Sequence, residues 1–361
     1  MQTLGILNEE RLSMLPKNYW TAHEFCFYLH DKLVSLLKEY DSHGVQNTVS
    51  NAFYETIEKH GKVEEFKDVE LVSYMKEEGL ENPYKLHIAS HVVMALTGDM
   101  LHYLYEALMC LEKRKFSVAF TLLRKPIKEH LFFLSWLLAD ENDFIQRFEA
   151  DNYINFSSVS KEKRIDIIKA AISKLHIKDA FDADAIWNYV YSKKHQNGFE
   201  PTWQRATHLT TSHGDLLKTE DYNLNFIFDD VNDDYYYDFL RSNLPYIFIY
   251  LSQVTLASFN RIRSVNRRTV NHLILTTMGC YESLFLDGRS MSIGKMLQKQ
   301  LGDFLSCIHC ESPFNIKKSN ASIFYLHEQF ICENCGVVSE FPLFWVMAKS
   351  KMEFTDDEPK K

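Results

Sequence analysis

The chain has 361 residues, of which 46% are hydrophobic and 25% charged, and its formal net charge is −9. That length supports two or three domains with sizeable cores, and only 12 Gly and 8 Pro argue against a turn-rich all-β fold and for helices. The negative balance excludes a general polyanion binder, so nucleic acid would have to meet a local basic patch.

Residues 1–86 read as an N-terminal helical region. From Trp20 to Tyr40, Phe25, Tyr28, Leu29, Leu33, Leu36 and Leu37 recur at the spacing of an amphipathic helix, which Asp41-Ser-His-Gly44 ends. Between Asn47 and Leu86 the pattern weakens to single apolar residues among charges, consistent with short helices or a connection.

Residues 87–298 read as a helical core domain. Val92, Val93, Leu96, Met100, Leu101, Leu104, Leu108 and Leu111 trace one face of a long helix. Glu112-Lys-Arg-Lys115 then turns the chain into the apolar stretch Phe116–Phe148, the second arm of a helical hairpin. Pro126 removes a backbone bond in the middle of that arm and bends it. Lys161–Leu175 and Asp182–Lys194 continue as helices, with Asp182 as an N-cap, and His195-Gln-Asn-Gly198 is a turn. Glu200-Pro201 opens an irregular segment carrying Arg205, His208, Ser212 and His213. An acidic run from Asp229 to Asp238 follows, and Asp233–Ser264 reads as a long helix kinked or broken at Pro245. Its end is basic through Arg261, Arg263, Arg267 and Arg268, as the helix dipole favours.

Residues 299–349 change character. Phe314–Ile316, Ser322–Leu326, Gln329–Cys332 and Val337–Phe341 are rich in aromatic and β-branched residues and read as short strands. The charged tail, residues 350–361, reads as disordered. The fold class expected is mainly α, a multi-helix bundle with a small C-terminal β domain.

Cys307-Ile-His-Cys310 and Cys332-Glu-Asn-Cys335 carry the sharpest chemical signal. One such turn places two thiolates on one metal, and two turns complete a tetrahedral four-sulfur shell with no open position, which makes structural Zn2+ the expected cofactor. The 21 residues between Cys310 and Cys332 suffice for a hairpin that returns the second pair to the first. This arrangement resembles a zinc ribbon, a module that can dock a protein or a nucleic acid, and Lys317 and Lys318 lie where they could touch the latter.

The other cysteines, Cys26, Cys110 and Cys280, are scattered singly, and an odd total of seven points to a reducing compartment. Acidic residues stand near the start where a signal peptide would keep an apolar run. The longest apolar stretches, His130–Ala139 and Leu244–Ala257, fall short of the roughly 20 residues that span a bilayer. A cytoplasmic protein without membrane partners is expected.

Within Phe116–Phe148, an apolar arm carries Arg124, Lys125, Lys128, Glu129 and His130. Such charges form either an ion network or a site that holds phosphate through Arg and moves protons through His. Arg124-Lys-Pro-Ile-Lys-Glu-His130 resembles the Arg, four-to-six residues, His motif of the higher eukaryotes and prokaryotes nucleotide-binding (HEPN) superfamily. The resemblance implies a metal-independent endoribonuclease or RNA-binding effector of bacterial stress or antiphage defence, acting as a homodimer. It gives Arg124 the role of stabilising phosphate charge and His130 that of proton transfer. His213, from a separate segment, is an alternative partner of Arg124, with Glu129 orienting either group. The other reading is a non-catalytic helical scaffold whose zinc ribbon binds a protein or nucleic acid.

Overall fold

The computed structural model describes residues 3–42, 44–60, 71–150, 159–212, 218–219, 224–225, 234–286, 291–302 and 304–349. These residues are predominantly α-helical, with one two-stranded sheet close to the four paired cysteines. In chain order, α1 is Glu9–Leu12, α2 Trp20–Ser42, α3 Val45–His60, α4 Leu71–Glu77, α5 Glu81–Glu112 and α6 Phe116–Arg124. A π-helical turn, Lys125–His130, leads into α7 Leu131–Ala139, then α8 Glu141–Ala150, α9 Lys161–Ile172, α10 Ala183–Val190 and α11 Phe199–Thr207. The long α12 Tyr235–Ile262, α13 Arg267–Leu284 and α14 Ser292–Leu301 follow. The chain then forms α15 Ala321–His327, β1 Gln329–Ile331, β2 Val338–Glu340 and α16 Leu343–Lys349.

The chain divides into two compact units, one comprising Met1–Cys26, Tyr237–Ile249 and Val265–Lys361, the other Phe27–Tyr236 and Tyr250–Ser264. In the second unit α3, α4, α6, α8 and the π turn all pack on α5. Val92, Val93, Met100, Leu101, Leu104, Leu108 and Leu111 are buried, as the apolar stripe requires, and each such side chain contributes about 1.5–3 kcal/mol by leaving water. The hairpin turn between α5 and α6 holds Arg114 at φ 54°, and its guanidinium reaches Asp234 at 3.0 Å. Asp182 caps α10, its carboxylate accepting the Ala185 N–H at 2.7 Å. The Gly198 N–H donates to the His195 carbonyl at 2.9 Å, closing the expected turn.

The first unit is built on α13, against which α14, α15 and α16 pack. Gly279 makes this close approach feasible, because a Cβ there would fall 2.5 Å from the Tyr325 ring on α15. The sheet is antiparallel, with Gln329 opposite Glu340, Phe330 opposite Ser339 and Ile331 opposite Val338.

Several local expectations are overturned. Ser322–Leu326 is helical rather than a strand, because Ala321, Phe324 and Tyr325 are buried at helical spacing on α15, which packs on α13. Phe314–Ile316 forms no strand; the nearby pairing is a single bridge between Ser306 and Pro313. Glu200 and Pro201 stand in the first turn of α11, where proline's missing N–H costs nothing, so the segment is helical as far as Thr207, and only the residues from His208 to Ser212 are irregular as expected. Pro245 lies inside α12 without breaking it. Arg267 and Arg268 begin α13, where the Asn266 side chain accepts the Arg268 N–H at 2.9 Å, so they do not belong to the end of α12. The acidic run before Asp234 lies outside the described residues. Among those described, no helix is long and apolar enough to cross a membrane.

Candidate metal centre and central charge network

The two CxxC segments fold into equivalent knuckles. In the first, the Glu311 N–H donates to the Cys307 carbonyl and the Cys307 N–H to the Ser312 carbonyl, both at 2.9 Å. In the second, the Gly336 N–H donates to Cys332 and the Cys332 N–H to Val337, again at 2.9 Å. Each knuckle turns through a left-handed residue, Glu311 at φ 58° and Gly336 at φ 73°. Glycine takes that conformation freely and glutamate does not, so the second knuckle is the less strained.

This shared geometry brings all four sulfurs within 4.8 Å of one another. Cys307 and Cys335 Sγ lie 3.6 Å apart, as do Cys310 and Cys332. A tetrahedral ion with metal–sulfur bonds of about 2.3 Å requires sulfurs about 3.8 Å apart, so the residues fit the group. Donors also surround the sulfurs: the His309 N–H reaches Cys307 at 3.4 Å, and Asn334 Nδ2 reaches Cys310 at 3.6 Å.

These donors act on the thiols' acidities. The His309 and Cys310 N–H groups lower Cys307, and the Ser312 and Asn334 side chains bring Cys310 down to about 5. At Cys335 the Val337 N–H lowers the thiol, but desolvation and the neighbouring thiols outweigh it and raise it to about 12. The directions differ because hydrogen-bond donors favour the thiolates of Cys307 and Cys310, whereas burial and the neighbouring thiols oppose ionisation of Cys335. A divalent cation removes that conflict. His309, inside the first knuckle, is exposed.

The central charges sit on and around the π turn. The Leu131 N–H donates to the Pro126 carbonyl, five residues back, so Pro126 is accommodated by a wider turn instead of a simple bend. Arg124 Nη1 lies 3.4 Å from Glu129 Oε1, with both side chains about one third exposed (35% and 36%). Lys125 Nζ lies 2.6 Å from Asp99 Oδ2 and 4.7 Å from the centre of the Tyr103 ring. His130 Nε2 lies 3.2 Å from the same Asp99 oxygen. Lys128 Nζ reaches the Glu200 carboxylate oxygens at 2.8 and 2.6 Å.

Burial is the main cause that lowers His130, to about 4, with Asp99 opposing and Lys125 assisting. Burial also lowers Lys128 against the pull of Glu200. His130 is 4% exposed, and its Nδ1 has no hydrogen-bond partner among the described residues.

Arg124 and His130 therefore engage different carboxylates, Glu129 and Asp99. Ser212 is described and exposed, whereas His213 lies outside the described residues. Sequence reasoning missed Asp99 and Glu200. Asp99 interrupts the apolar face of α5 and Glu200 stands beside a first-turn proline, and an apolar arm bearing four basic groups demanded carboxylates from elsewhere. Comparison with known protein families, curated proteins and solved structures finds no match to this chain.

Proposed function

We propose that the protein is a zinc-stabilised helical scaffold whose C-terminal module docks a partner protein. Four soft thiolates at tetrahedral separation, with no position left for water, favour zinc in a structural role. Bound zinc would be held by Cys307, Cys310, Cys332 and Cys335, and would neutralise their charge while joining the two knuckles.

The observation that carries the docking reading is an exposed apolar surface on a small module. Ile331 and Val338 face each other across the sheet and are 56% and 55% exposed, and Ile308 on the first knuckle is 81% exposed. Adjacent apolar exposure such as that of Ile331 and Val338 marks interaction sites. Charge favours a protein over RNA: from Cys307 to Phe341 there are two lysines against four glutamates. Both lysines are already engaged, Lys317 with Glu333 at 2.7 and 2.9 Å and Lys318 with the Leu286 carbonyl at 2.5 Å. Purified Ile331→Lys/Val338→Lys protein should keep its zinc and helix content, lose the partner that co-purifies with wild type, and share its lack of RNA binding at physiological salt. Retained partners, or RNA bound by wild type, would overturn the reading.

One observation favours a second reading. Asp99 holds one nitrogen of His130, and the other has no partner among the described residues, at a π turn, the arrangement of a base with an orienting carboxylate. On that reading the chain is a HEPN-like endoribonuclease, and a second copy supplies Arg124 to the phosphate. Metal-free cleavage of RNA by wild type, lost in His130→Ala and Asp99→Asn with stability unchanged, would establish it.

A further inference from the structure

The N-terminal segment is fastened at two points within the unit that contains the metal centre. Glu24 is fully buried, at 0% exposure, and its carboxylate accepts the N–H groups of Leu4 at 2.6 Å, Ile6 at 3.0 Å and Leu7 at 3.2 Å. It also accepts the Thr3 hydroxyl at 3.1 Å. Three backbone N–H groups of one short segment thus converge on the buried carboxylate and supply the compensation it needs, while the Gly5 N–H donates to Thr3 Oγ1 at 2.9 Å. Gly5, at φ 71°, lets the chain turn inside this wrap.

The second fastening comes from the metal module. His327 Nε2 donates to the Leu4 carbonyl at 2.6 Å. His327 is the last residue of α15, a helix of seven residues lying between Cys310 and Cys332. A helix that short has no stability of its own and depends on its packing. Phe324 of α15 packs against Phe314 and Phe341, at 5.5 and 5.6 Å, and Phe314 stacks on Phe330 at 4.3 Å. Phe314 leaves the first knuckle, Phe330 enters the second and Phe341 follows it, so the two knuckles fix the aromatic cluster against one side of α15, whose other side rests on α13 with Tyr325 against Gly279.

We propose that the metal centre is a latch for the N-terminus. With the metal bound, His327 is held on Leu4 and Thr3–Leu7 is closed around Glu24. With the metal gone, the knuckles part, α15 loosens, His327 withdraws, and the segment opens to expose its backbone and the Glu24 carboxylate. This rests on the zinc reading and is independent of the docking partner.

Amide hydrogen exchange of the full chain tests it, read in the peptide that contains Leu4, Ile6 and Leu7 and in a control peptide from α5. Removing zinc with a chelator should speed exchange of the N-terminal peptide at least about tenfold and leave the α5 peptide unchanged. Zinc-loaded His327→Ala should show the same acceleration while retaining its zinc, and added zinc should restore slow exchange only in wild type. Slow N-terminal exchange in chelated protein, or in zinc-loaded His327→Ala, would overturn the latch and leave the zinc site standing. Absence of bound zinc in wild type would overturn both.

Discussion

Lys128 and Glu200 meet as an almost dry ion pair, with Nζ at 2.8 and 2.6 Å from the two carboxylate oxygens and Glu200 only 2% exposed. Gln204 Nε2 adds a third donor to the carboxylate at 3.0 Å. Removing one charge strands the other in a poorly solvated place, whereas removing both does not. Lys128→Met should therefore cost about 3–5 kcal/mol in urea unfolding, and Lys128→Met/Glu200→Leu should recover most of that loss. Two additive losses would show that the pair is not coupled.

His130 makes stability depend on pH. Its folded-state value, about 4, lies below the ordinary 6.5, so between these values the unfolded chain binds a proton that the folded chain refuses. The neutral ring's contribution is complete above about 6.5 and is lost as pH falls toward 4. Urea midpoints of wild type should fall across that window, and His130→Gln should flatten the decline. An identical slope in the variant would assign it to other groups.

The two knuckles differ at one position that has a calculable consequence. Glu311 adopts the left-handed conformation that Gly336 takes in the equivalent place. Glu311→Gly should make the metal-loaded module more stable by about 1 kcal/mol, while Gly336→Ala should weaken it by about 1–2 kcal/mol. Chelator competition and thermal melting would report both, and a destabilised Glu311→Gly would contradict the equivalence.

What the sequence revealed followed the range of each interaction. The Asp182 cap, the α5–α6 hairpin and the CxxC turns are each settled within a few residues, and each appears as expected. Ala321–His327 looked like a strand because Ile, Phe and Tyr favour sheets, and only packing on α13 selects its helical period. The partners of Lys125 and Lys128 lie 26 and 72 residues away, so their carboxylates could be demanded from sequence but not named. The π turn was legible only as a disturbance at Pro126.

Metal analysis should find one zinc per chain in wild type and little in Cys332→Ser. Chelation should leave most far-ultraviolet helical signal in place, because the unit formed by Phe27–Tyr236 and Tyr250–Ser264 holds none of the four paired cysteines and, among the described residues, most of the helices. Cooperative loss of all helix would show that the two units fold as one.

The docking account is tested most directly by placing a photoreactive amino acid at Val338 in the full chain, irradiating cells that express it, and treating the products with ribonuclease. A discrete, zinc-dependent protein cross-link that survives ribonuclease is the result expected. A cross-link removed by ribonuclease, or no cross-link from Val338 in folded, zinc-loaded protein, would contradict it.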